Sequence, residues 1–134
     1  MPGTAIPLWN KKSFNFNNLT LGTSESNVAV KAVACERYRE GLLIVRAHTR
    51  DIVNAASKIE IVVYTTSPTA EDPSVDFVFA TASGTATVAN GSTSIVASVA
   101  LANFGAFMRI VVIGTRTTSG NCSADLSADL VLKE

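Results

Sequence analysis

Charged side chains make up only 16% of this 134-residue chain, against 47% hydrophobic residues. That balance is too apolar for a disordered tail and leaves Ser, Thr, Asn and Ala to cover much of the surface. Eleven Lys and Arg offset eleven Asp and Glu, so no net field recommends nucleic acid or an anionic membrane as partner. Cysteine is scarce: Cys35 and Cys122 are too few for a disulfide scaffold, lie at no metal-ligand spacing, and read as reduced, buried residues. A single histidine, His48, cannot supply a multi-histidine metal site. No apolar run nears the roughly 18 residues of a membrane span; residues 41–45 and 110–113 are strand-sized. The start, MPGTAIPLWNKK, lacks a basic segment followed by an apolar stretch, so no signal peptide is expected. A glycine-rich phosphate loop is also missing, and GTRTTSGN over 114–121 reads as a strand connection. No cofactor is expected.

What the chain does have is period-two hydrophobicity. Cys122, Ala124, Leu126, Ala128, Leu130 and Leu132 alternate with Ser123, Asp125, Ser127 and Asp129, which gives a strand one dry and one wet face. KIEIVVYTT over 58–66 is rich in β-branched residues and has two partly covered faces. Over 41–50, Leu43, Val45 and Ala47 fall on one face and Arg46 and His48 on the other.

Further strands are expected over 13–21, 28–35, 75–82, 85–89, 94–101 and 107–115, separated by turn clusters such as Ser67-Pro68, Asp72-Pro73, Ser83-Gly84 and Ser119-Gly120-Asn121. Asn90-Gly91 is the strongest hairpin signal, through a type I′ turn. Residues 31–40, KAVACERYRE, allow a short helix instead of a strand. Many short strands and frequent turns predict an all-β chain: a single two-sheet antiparallel sandwich, jelly-roll-like, of about eight to nine strands over 13–134, preceded by an N-terminal arm over 1–12.

Candidate chemistry falls at four places. Cys35 with His48 is the one arguable nucleophile and base, and a surface histidine among charged neighbours is the preferred reading. Glu71, Asp72 and Asp76 lack the regular spacing of a calcium loop and read as a solvated turn. Asp125 and Asp129 share a strand face about 13 Å apart, too far to act as an acid and base on one bond. Arg37, Arg39, Arg46 and Arg50 surround Tyr38, but Glu36, Glu40 and Asp51 interleave, which argues against nucleic acid.

Two stretches stand out for a monomer. SGTATVANGSTSIVASVAL over 83–101 carries no charge and no proline, the devices that ordinarily guard a sheet edge; it is either interior or packed on a neighbour. Pro2, Pro7, Leu8 and Trp9 form an apolar segment with no evident place in a two-layer core.

With its short arm, Asp72-Pro73 turn, uncharged Ser/Thr/Ala strands and sheet-ending C-terminus, the whole chain resembles the small β-sandwich or jelly-roll virion proteins of tailed bacteriophages. The resemblance implies a non-enzymatic structural protein, a self-assembling coat or capsid-decoration subunit. It would be made in the host cytoplasm, form a homo-oligomer, and contact a major capsid or other virion protein. On this reading Leu8, Trp9, Phe14, Phe16, Phe104 and Phe107 are expected at the subunit interface, Phe104 and Phe107 from a loop apex that they form with Gly105. The rival class is a carbohydrate- or ligand-binding β-sandwich module, with Trp9, Tyr38, Tyr64, Phe104 and Phe107 as its candidate aromatics.

Overall fold

The alternation read at the C-terminus builds the centre of one sheet. In a computed structural model, which describes residues 3–73, 81–117 and 119–134, β8 (Cys122–Lys133) lies between β1 (Thr4–Asn15) and β3 (Glu40–Ile52), and β6 (Ile95–Ala102) completes the order β1-β8-β3-β6. The second sheet runs β2-β7-β4-β5, from β2 (Thr23–Ala34), β7 (Phe107–Arg116), β4 (Lys58–Thr65) and β5 (Thr81–Val88). All pairings are antiparallel.

The strand order follows from one nested scheme. β4 pairs with β5, β3 with β6, β2 with β7 and β1 with β8, so the chain is one long folded-back ribbon. Wrapping it adds the β3–β8 and β4–β7 ladders and sends alternate pairs into opposite sheets. This is the jelly-roll form of the two-sheet sandwich.

The inward faces interdigitate. Leu126, Leu130 and Leu132 of β8, Leu43 and Val45 of β3, Ile59, Ile61 and Val63 of β4, and Met108, Ile110 and Val112 of β7 are all fully buried. Burying an aliphatic side chain of this kind stabilises by about 1.5–3 kcal/mol. Ion pairs add little: among the described residues Arg37–Glu134 at 4.0 Å is exposed and Lys58–Glu60 at 3.6 Å is partly exposed.

Several expectations need correction. Residues 4–12 are no separate arm, because β1 begins at Thr4 and pairs with β8 from Leu132 onward. Pro7 had hidden the strand pattern, yet an edge strand tolerates a residue that cannot donate. The first strand ends at Asn15, and residues 16–22 turn. No helix forms over 31–40: β2 continues to Ala34, after which Cys35 N–H donates to Ala106 O and Tyr38 N–H closes a turn on Cys35 O. The strand expected over 75–82 lies outside the described residues except for its last two, which open β5.

The Asn90-Gly91 hairpin does not form either. β5 and β6 belong to different sheets, and of the two turn residues only Gly91 has positive φ, at 145°. The connection is shaped from a distance. Arg50 Nε donates to Thr93 O at 2.7 Å, and its Nη1 donates to Ala89 O at 2.9 Å and Asn90 O at 3.0 Å, while Gly91 bridges to Ile52. A planar guanidinium with several fixed donors suits a loop that turns its carbonyls inward.

Candidate functional site

The six expected interface residues fall into two environments. Phe14 and Phe16 are 5% and 2% exposed and belong to the core of their own domain, so neither is available to a neighbour. The reason is the turn after β1: Phe16 N–H donates to Cys122 O, which drops the ring between the sheets and onto Gly114. Leu8, Trp9 and Phe104 are half-buried and pack against the core. Phe107 is half-buried at the start of β7. Trp9 meets Phe14 edge-on at 5.9 Å between centroids, and its buried indole N–H has no hydrogen-bond partner among the described residues.

Phe104 and Phe107 flank no free apex. Gly105 is buried so tightly that a Cβ there would lie 1.8 Å from Thr66 O. Its N–H donates to Thr65 Oγ1 at 2.7 Å, Ala106 N–H donates to Ser67 O, and Phe107 N–H donates to Thr66 Oγ1 at 3.1 Å. Two threonine hydroxyls thus hold the β6–β7 connection under the end of β4. Only glycine permits so close a backbone approach.

The arguable catalytic pair is separated. Cys35 is fully buried; its thiol donates to Gly105 O at 3.3 Å and is pushed up to about 12 by burial, with the Glu36 carboxylate adding to the effect. A thiol so held is not a nucleophile near neutrality. His48 sits on the outer face of the first sheet, its Nε2 2.6 Å from Ser127 Oγ. The two cysteines are also far apart, as expected for unpaired thiols: Cys122 Sγ lies by Lys58 O and Thr115 O, at the end of the β4–β7 ladder opposite to Cys35, roughly 20 Å away by strand rise. Both are free.

Sequence reasoning missed the polar hub at Ser127. On one side of β8 the β1 register shifts between Trp9 and Lys12, and Lys11 takes a positive φ of 48°. On the other side the β3 register shifts between Ala47 and Thr49, leaving His48 as the extra residue. Ser127 Oγ serves both irregularities: it accepts from Lys11 N–H at 2.9 Å, donates to Asn10 Oδ1 at 2.9 Å, and meets His48. A hydroxyl that is already engaged on every side is a knot between strands. No local sequence signal marks it, since the partners lie 79 and 116 residues away.

The arginines do not converge. Arg50 staples the β5–β6 connection, whereas Arg37, at the other end of β3, stacks on Tyr38 and donates to its hydroxyl at 2.8 Å. Of the acidic turn, Glu71 and Asp72 are described and Asp76 lies outside the described residues. Asp125 accepts from Ser13 Oγ across the β1–β8 ladder, and among the described residues no group of acidic, His and Cys side chains is arranged to hold a metal ion.

The outer surface carries the remaining unusual chemistry. Val96 is 60% exposed, Val28 52% and Leu42 37%. On the first sheet one cross-strand row, Ala5–Val131–Leu42–Ala100, is apolar across all four strands. Leu42, Ala100 and Val131 line a shallow hollow there with Glu40, Gly41 and Lys133 at its rim. No protein-family model and no curated protein matches the chain.

Proposed function

We propose that the chain is a non-enzymatic structural subunit of a tailed-phage virion, a self-assembling coat or capsid-decoration protein. The observation that carries this reading is the apolar row crossing the outer face of the β1-β8-β3-β6 sheet, on a jelly roll whose charged side chains are few. Apolar area on an outer face favours close packing against another surface. The jelly-roll form supports the reading by analogy alone, since this architecture serves coat subunits and lectins alike. A coat or decoration role places the partner on the shell, either a further copy of the chain or a major capsid protein.

The test is the mass of the purified protein by light scattering coupled to size exclusion, over a wide concentration range. A discrete multiple of 14.1 kDa supports self-assembly. A 14.1 kDa species at every concentration overturns it, and a saturable, sugar-dependent change in Trp9 fluorescence would move the protein to the ligand-binding class.

A further inference from the structure

Each sheet has two outer strands, and three of the four carry a device that discourages strand addition. β1 has Pro7, Lys11, Lys12 and two register shifts. β2 has Glu25, Lys31 and two register shifts. β5 is interrupted at Ser83, where the pairing jumps between Val63 and Tyr64. Charges, prolines and bulges are the ordinary protections of a sheet edge. β6, IVASVALA, has none of them: it is uncharged, lacks proline, and pairs with β3 through eight consecutive residues without a shift.

The free side of β6 can be read from its geometry. Ala102 O accepts from Ser83 Oγ at 3.2 Å, and Ala100 O lies 3.6 Å from where a Cβ on Gly84 would sit. Both carbonyls therefore face β5 and away from β3. Backbone direction repeats every second residue in an antiparallel ladder, so Val96 and Ser98 also turn their N–H and C=O groups outward, while Ile95, Ala97, Val99 and Leu101 bond to β3. The β5 interruption closes the Ala100–Ala102 end, and the outward groups of Val96 and Ser98 have no partner among the described residues.

We infer that β6 is a self-pairing edge: it adds antiparallel to β6 of a second copy about a twofold axis near Ala97, matching Val96 with Ser98 of the second copy. This rests on the self-assembly reading and names its contact. A strand is the occupant because only extended backbone answers alternating donors and acceptors. A second β6 fits because two uncharged strands meet without like-charge repulsion, whereas β1 and β2 would bring lysines into the seam. The exposed Val96 and the Ala100–Leu42 pair continue the apolar surface away from the edge, and a twofold makes that patch self-complementary.

Two substitutions at one exposed position test the inference. Ser98→Pro removes an outward N–H that no β3 carbonyl uses, and Ser98→Lys places a charge on the edge. Each should weaken association at least tenfold by light scattering, while Val28→Lys on the β2 edge leaves the mass unchanged. Amide exchange gives an independent readout on the wild-type protein: Ala97 and Val99 should be protected at all concentrations, Val96 and Ser98 only when the protein is associated. Association unaltered by both Ser98 variants, or Val96 and Ser98 amides still exchanging in the assembled protein, overturns the edge pairing and leaves self-assembly standing. A wild-type monomer throughout overturns both. Should either variant misfold by circular dichroism, the exchange pattern decides.

Discussion

The ring of Phe16 lies on the backbone of Gly114, so close that a Cβ at Gly114 would fall 2.2 Å from two ring carbons. Both residues are buried. Gly114→Ala should therefore destabilise the fold by about 1–3 kcal/mol through overpacking, and Phe16→Ala by about 3–5 kcal/mol through the cavity it leaves. Because the two share one contact, the double variant should lose less than the sum of the singles in urea titrations. Strict additivity would show that the ring and the glycine do not touch.

Arg50 should matter more than an exposed arginine usually does. Arg50→Ala removes the donors that hold Ala89 O, Asn90 O and Thr93 O, at a cost of about 1–2 kcal/mol. Arg50→Lys should restore less than half of it, since an ammonium cannot reproduce the fork. Hydrogen exchange in the 89–94 connection should quicken in both variants; unchanged exchange would mean that Gly91 and its bridge to Ile52 suffice.

Ser127→Ala should fray β1. The hydroxyl is the shared partner of Lys11 N–H, Asn10 and His48, so its loss should cost about 1–3 kcal/mol and raise exchange over residues 4–12 before the rest of the sheet. A uniform loss of protection across all strands would contradict a local knot.

Alkaline pH should weaken the fold through its thiols. Burial raises both Cys35 and Cys122, and Arg116 partly opposes the shift at Cys122. Above the ordinary value of 9.0 the unfolded chain releases these protons first. The stabilising contribution is thus complete below that pH and is lost as pH rises toward about 12 at Cys35. Urea midpoints should fall between pH 9 and 11, and Cys35→Ala, less stable at neutral pH, should show a shallower fall. An equal slope in the variant would assign the alkaline loss to other groups.

Deleting residues 1–10 should unfold or aggregate the protein, leaving no intact smaller species to observe. The deletion takes most of β1 and uncovers the outer side of β8, a strand with fully buried leucines. A truncated chain with unchanged β-sheet circular dichroism and melting temperature would show that β1 is dispensable.

How much of this was legible depended on how local the cause was. β8 and β4 announced themselves because alternation is a property of neighbouring residues. The Asn90-Gly91 signal was equally local but lost to Arg50, some forty residues earlier, whose guanidinium holds the connection across two sheets. Pro7 hid β1, although the edge position makes a missing N–H harmless. Phe14 and Phe16 looked like interface residues because their destination is set by where Gly114 leaves room. The site is harder still: Ser127 meets partners from two strands that only folding brings beside it, and although the lack of charge and proline over 83–101 is legible in the sequence, that β6 stands at an edge is not.

The nested ribbon also sets a clock. Among the described strands β1 is synthesised before all the others and β8, its one neighbour in the sheet, after them, with about a hundred residues between the two. At roughly 5–20 residues per second of synthesis, β1 waits some 5–20 seconds for a partner. During that interval β6 is already made while the sheet that must carry it lacks β8, so its unguarded edge is exposed before the sandwich closes. The lysines and proline on β1 guard the strand that waits longest.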